Sequence, residues 1–262
     1  DNPRKDNSLL EQLFALLPRK MKNVADYLLP ADAEPEQIQN VIDRETDLLR
    51  MMETQMQALP SNDSKEKTLL EEWNLSITPV NNEKELRQIK RHMGHSADCF
   101  SKAFRVKNSN RDNAFWNYYD KHNYHKEDIH YWYHGSRNMN CLSILHNGLI
   151  LNPKAPKVGH MFGYGIYLAP KAKKSIGYTS LNGSFWVHGT SDTAYLFVMK
   201  TVYKSPYHVY TWTSGMKSLT QSRISPHDAV FAHAGTSLRN DEVVIFDDAQ
   251  VTLQYIIELK QQ

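Results

Sequence analysis

The chain has 262 residues, 40% of them hydrophobic and 23% charged, with five Trp and fourteen Tyr; this is enough apolar material for one large or two modest cores and excludes a disordered protein. A formal net charge of +2 excludes a global field for nucleic acid or membrane, and no apolar run approaches the roughly 20 residues of a membrane helix. Cys99 and Cys141, the only two cysteines, stand in no metal-like spacing; they fit buried small hydrophobes in a reducing intracellular setting and exclude a disulfide framework.

Taken in chain order, the start "DNPRKDNSLL" lacks an initiator Met and a signal-like apolar core, which suggests a fragment or processed product whose upstream domains are missing. Residues 8 to 59 read helical. In the stretch from Pro35 to Pro60, the residues Ile38, Val41, Ile42, Leu48, Leu49, Met52, Met56 and Leu59 recur near the 3.6 period, and Pro35 suits a first turn as Pro60 suits a stop. The preceding "LLEQLFALL" and "MKNVADYLLP" are cut by Pro18 and Pro30 into short helices. A polar linker, "PSNDSKEK" at 60 to 67, then closes this block, and the domain boundary is placed at 62/63.

Beyond the linker the period changes. "AFRVK", "IHYWYH", "TAYLFVMKTVY", "EVVIF" and "VTLQYIIELK" are β-branched and aromatic, several alternating in the period of two. Helical segments are fewer: 82 to 93, 139 to 149 and 170 to 178. Runs of strands with inserted helices predict an α+β domain with largely antiparallel sheets over residues 63–262, preceded by a small all-α domain over 1–62.

Four places carry residues suited to chemistry. His134 ends a strand at Gly135, whose missing Cβ lets a planar amide approach the backbone, although a plain strand-to-turn junction reads the same way. In "MFGYGIYLAPKAKKSIGYTS", Tyr167 and Tyr178 stand eleven apart, and Ser175 shares a helical face with Tyr178; taken alone these are core tyrosines. The glycines there are no dinucleotide fingerprint, because position 168 is Leu. Glu242 opens the apolar run Val243 to Phe246, and a carboxylate there faces either a cleft or solvent. "RQIKRH" and "KAKK" read as solvated faces rather than as a nucleic-acid surface.

Set in order, HGSR, N-x-x-x-I-L-x-x-G-L, M-F-G-x-G-I-Y, K-S-x-x-Y and E-V-V-I-F-D-x-A-Q-V closely resemble the catalytic domain of the poly(ADP-ribose) polymerase family over about residues 63 to 262. The segment "LFALLPRKM" with the long helix after it is similar to the second half of that family's regulatory helical domain.

The resemblance implies the ADP-ribosyltransferase fold and an NAD+-consuming ADP-ribosyltransferase that needs no metal. Its His-Tyr-Glu triad falls on His134, Tyr167 and Glu242. Gly135 and Ser175 would grip the nicotinamide carboxamide and Tyr178 would stack on its ring. Ser136 and Asn140 would face the adenosine half, and Lys174 the nicotinamide side. Glu242 favours poly-ADP-ribose elongation, with mono-transfer as the alternative and a non-catalytic NAD or ADP-ribose binding module as a more distant one. The implied partners are NAD+, protein acceptors including the chain itself, and DNA only through upstream domains, with no membrane; the implied setting is intracellular and, in a eukaryote, nuclear. The chain departs from the pattern at Ile150, where many members carry Arg, and in a shorter loop at 151 to 160, which alters the cover and the adenosine-side contact.

Overall fold

The structure, a computed structural model, describes residues 3–16, 27–57, 67–151 and 161–261. The breaks expected at Pro18 and Pro60, the linker but for Lys67, the boundary at 62/63 and most of the 151 to 160 loop lie outside those residues.

The helical block contributes α1 (Pro3–Leu16) and α2 (Pro35–Gln57). Pro35 occupies the first helical position, where its missing N–H has no partner to lose. Asn7 of α1 ties down the chain before α2, donating to the Leu29 carbonyl at 2.8 Å and accepting from its N–H at 2.7 Å. Along the periodic apolar stripe of α2, Ile42 and Leu49 are 47% and 40% exposed while Ile38, Val41, Leu48 and Met52 are half-buried and Glu45 is buried; α2 also lies against the next domain.

That domain runs α3 (Leu69–Glu72), β1 (Leu75–Pro79), α4 (Glu83–Met93), β2 (Phe100–Asn108), α5 (Ser109–Lys121), β3 (Ile129–Gly135), α6 (Cys141–Asn147), β4 (Ile166–Leu168), α7 (Ala172–Ile176), β5 (Thr193–Val202), β6 (Pro206–Val209), α8 (Gln221–Ile224), β7 (Ala229–Ala232), β8 (Glu242–Ile245) and β9 (Val251–Lys260). Five strands form one sheet in the order β1-β2-β9-β5-β3, and four form a second in the order β4-β8-β7-β6. Every pairing is antiparallel except β6 with β7. The architecture is thus the expected α+β arrangement of packed, mainly antiparallel sheets behind N-terminal helices.

α5 was not legible in the sequence. Its "AFWNYY" centre is mostly aromatic, of low intrinsic helix preference. It is started by the Asn108 side chain, which accepts from the Arg111 N–H at 3.2 Å, and anchored by the fully buried Phe115. α6 and α7 are shorter than the segments predicted for them. Cys141 is buried as expected, but Cys99 is only half-buried.

Between the sheets, Phe197 and Met199 of β5 meet Ile144 and Leu145 of α6, Ile166 and Leu168 of β4, and Val243 and Ile245 of β8. Phe197 and Met199 are fully buried, each stabilising the fold by about 1.5–3 kcal/mol. The sheets are joined where Tyr133 and Ala169 exchange two backbone hydrogen bonds of 2.9 Å. This joint brings the end of β3 against the end of β4. No described helix is long and apolar enough to cross a membrane.

Candidate active site

At the joint between the sheets opens a cleft of about 450 Å³. All nine residues singled out in the sequence line it: His134, Gly135, Ser136, Asn140, Tyr167, Lys174, Ser175, Tyr178 and Glu242. Strand alternation explains part of this convergence. Tyr167 of β4 pairs with Val244 of β8, and Glu242 stands two residues before Val244, so all three share a face. The intervening Val243 and Ile245 turn to the core.

His134 precedes the last residue of β3, and its Nδ1 lies 3.1 Å from the Tyr167 carbonyl. A carbonyl only accepts, so Nδ1 carries the proton and Nε2 keeps its lone pair. Burial holds the imidazole below its ordinary pKa, against the opposing hydrogen bond to Tyr167. Burial also lowers His130 and His146. Below about pH 6.5 the unfolded chain therefore binds protons that the folded chain does not, so stability falls as pH drops through that window. Melting followed from pH 7 to pH 5 should show this loss, with a shallower slope in His134→Gln; an identical slope in the variant would remove His134 from the account.

Gly135 lies so close to α7 that a Cβ built on it would sit 1.7 Å from the Ser175 carbonyl oxygen. Only glycine fits. Ser175 is buried in α7. Tyr178 does not share its helical turn as predicted, because α7 stops at Ile176; it stands in the following turn, its N–H donating to the Ser175 carbonyl at 3.0 Å. Asn140 donates to the Ser136 hydroxyl at 2.9 Å, which orders that wall.

The glycines of "FGYGIY" have distinct tasks. Gly163 adopts the left-handed φ of 82°, and its carbonyl accepts from the Tyr167 hydroxyl at 2.7 Å while the Phe162 N–H donates to that hydroxyl at 3.0 Å. Burial pushes the Tyr167 phenol well up. The hydroxyl is thereby engaged by its own turn, and the ring remains for a ligand. Gly165 lets β4 close on β8, since a Cβ there would meet Val244 Cγ1 at 2.4 Å.

Glu242, opposite Ala232 of β7, is buried, and its Oε1 lies 2.7 Å from Lys174 Nζ. A paired charge in a poorly hydrated site is held in place more firmly than a surface pair, and removal of either partner strands the other. This pairing was not readable from sequence. Neither was the cover: Asp47, Arg50 and Met51 of α2 line the same cleft. Nothing local marks them, because they belong to a different domain in the sequence pattern. Ile150 is 46% exposed at the cleft. Among the described residues, no three His, Cys, Asp or Glu side chains converge as a metal site requires.

The model of the poly(ADP-ribose) polymerase catalytic domain matches residues 83–261. The chain is 33% identical over 146 residues to poly(ADP-ribose) polymerase of Sarcophaga peregrina, covering 48% of this chain and 15% of that protein. It is 47% identical over 57 residues to human poly(ADP-ribose) polymerase 2, covering 20% and 10%, and 24% identical over 225 residues to Arabidopsis thaliana poly(ADP-ribose) polymerase 2, covering 72% and 34%. The chain thus spans only about 15% of the length of the first of these curated relatives. A match over most of the chain, on a fold whose cleft gathers those motifs, places it in the poly(ADP-ribose) polymerase catalytic-domain family.

Proposed function

We propose that this chain cleaves NAD+ between ribose and nicotinamide and transfers the ADP-ribose to protein acceptors and then to the growing chain. The observation that carries the reading is the buried Glu242 carboxylate, 2.7 Å from Lys174, in the same cleft as Gly135, Ser175 and Tyr178. The backbone of Gly135 and the Ser175 hydroxyl would hold the carboxamide, with the Tyr178 ring stacked on the pyridine. Neutral His134, with Nε2 as acceptor, would take a hydrogen bond from the adenine-side ribose, and Ser136 and Asn140 would face the adenosine half.

As the C1'–N bond breaks, nicotinamide leaves with the bonding pair as a neutral molecule and positive charge builds on the sugar, as in other glycosyl transfers. Glu242, accepting from the 2'-hydroxyl, would stabilise that charge and then take the proton of the acceptor hydroxyl as its oxygen bonds to C1'. Tyr167 would line the nicotinamide side through its ring, and Lys174 would hold the glutamate in register. No step needs a metal. Labelled NAD+ incubated with wild type and Glu242→Gln, then resolved on a gel, tests this. A ladder in wild type that is lost in the variant supports polymer formation, a single modified band in wild type that is weakened in the variant supports mono-transfer, a band equally strong in both removes Glu242 from the chemistry, and binding without any transfer would favour a reader module and overturn the proposal.

The same reading makes the helical block, residues 1–62, a cover over NAD+ access, opened by signals such as DNA engaged through upstream segments. The presence of Asp47, Arg50 and Met51 of α2 in the cleft wall supports it. Deleting residues 1–62 should raise basal NAD+ turnover about ten-fold, a removed ordering cost of about 1.4 kcal/mol. Unchanged turnover in a folded truncation, monitored by nicotinamide release, would count against a cover.

A further inference from the structure

The segment between α7 and β5 carries two large aromatic side chains held away from the core beside the cleft. Phe185 is 58% exposed and Trp186 is 54% exposed. Large aromatics held out on a connecting loop mark a site of use rather than of packing. Backbone bonds give this loop a fixed shape: Asn182 N–H donates to the Ser191 carbonyl at 2.8 Å, and Ser184 N–H to the Leu181 carbonyl at 3.0 Å. Gly189 N–H donates to the Ser184 hydroxyl at 2.8 Å. Gly189 also leaves no room for a side chain, because a Cβ there would lie 2.4 Å from the Ser180 carbonyl. His188 adopts a left-handed φ of 46°, a conformation kept only where the surroundings impose it.

The result of this rigidity is a second ring beside the first. Trp186 N–H donates to the Gly177 carbonyl at 2.9 Å, and its indole lies nearly parallel to Tyr178, with centroids 5.9 Å apart and planes at 20°. Phe185 supports the indole edge-on at 4.6 Å and 88°, and the Arg239 guanidinium lies 5.6 Å from the Phe185 ring. Gly177 is close-fitted to this stack, since a Cβ there would approach Trp186 Cδ1 to 3.0 Å. Tyr178 itself stands past the end of α7 and is partly exposed. Its own element does not hold its ring.

We propose that Trp186 is a positioning residue that fixes the Tyr178 ring in the plane required to stack on an aromatic carboxamide, and so sets the affinity of the cleft for the pyridine end of its substrate. This rests on the NAD+ reading above. Without the indole, Tyr178 must be ordered at the moment of binding, and that ordering is subtracted from affinity. Trp186 lies outside the reacting atoms, so its effect falls on binding more than on the chemical step.

The test uses the full chain, benzamide as an aromatic-carboxamide probe in calorimetry, and steady-state NAD+ turnover. Trp186→Ala should raise the benzamide Kd and the KM for NAD+ about five-fold, in the range of one aromatic stack, while kcat changes less than about two-fold. Trp186→Phe, which keeps a ring face, should recover most of that loss. In a Tyr178→Ala background, Trp186→Ala should add no more than about two-fold, because the coupling partner is gone. Should Trp186→Ala melt below the assay temperature, Trp186→Leu, which keeps bulk without a ring face, is read in the same way. Wild-type Kd and KM in Trp186→Ala or Trp186→Leu, or an equal loss with and without Tyr178, overturns the proposal. If wild type binds benzamide and turns over NAD+ but Trp186 has no effect, only this inference falls; if wild type does neither, the NAD+ reading falls and takes this one with it.

Discussion

Glu242→Gln should lower kcat for nicotinamide release by about 10²–10³-fold, with the KM for NAD+ within about three-fold of wild type. The magnitude is that of one preorganised charged group acting on a transition state, about 3–4 kcal/mol. The split between kcat and KM follows from where the charge is needed: the carboxylate opposes positive charge that exists on the ribose only while the glycosidic bond is breaking. Gln keeps the shape and one acceptor oxygen, so substrate binding survives. A second consequence separates this site from an exposed acid. Lys174 and Glu242 are both nearly buried, at 2.7 Å, so the variant leaves an ammonium without its partner and should melt several degrees lower. Initial-rate kinetics and a melting curve on the same preparation check both. A variant within ten-fold of wild type in kcat would remove Glu242 from the catalytic role.

Gly135→Ala tests the amide slot through geometry instead of charge. The added methyl would fall 1.7 Å from the Ser175 carbonyl oxygen, a backbone atom that no rotamer change can move aside. Either the end of β3 or α7 must shift. Both carry site residues, His134 on the first and Lys174 with Ser175 on the second. The overpacking should cost about 3 kcal/mol, lowering the melting temperature by about 6–12 °C. NAD+ affinity should fall by at least about ten-fold as well, since the slot opens while its polar groups lose alignment. Isothermal titration against wild type reads the second effect. Wild-type melting and affinity in Gly135→Ala would show that the close approach of β3 to α7 is not part of the site.

Much of the site was written locally. His134 and Gly135 at the end of an aromatic strand, glycines around Tyr167, and a carboxylate opening an apolar strand were legible because period-two alternation and glycine placement are properties of a few neighbouring residues. The start of α2 at Pro35 was legible for the same reason. α5 was not, since Phe115, Tyr118 and Tyr119 keep helical spacing but are residue types of low helix preference, and the helix depends on its Asn108 cap and on Phe115 finding a core.

What the chain order alone determined is the set of residue types and the elements that carry them. What only the tertiary structure decided is their meeting: His134 and Glu242 stand over a hundred positions apart and share a cleft because Tyr133 and Ala169 splice two sheets together. The Lys174–Glu242 pair, the Trp186 ring beside Tyr178 and the placement of Asp47, Arg50 and Met51 of α2 over the cleft belong to the same class. Each is a distance between segments, and a distance between segments depends on how sheets and helices pack against one another, which no local period records.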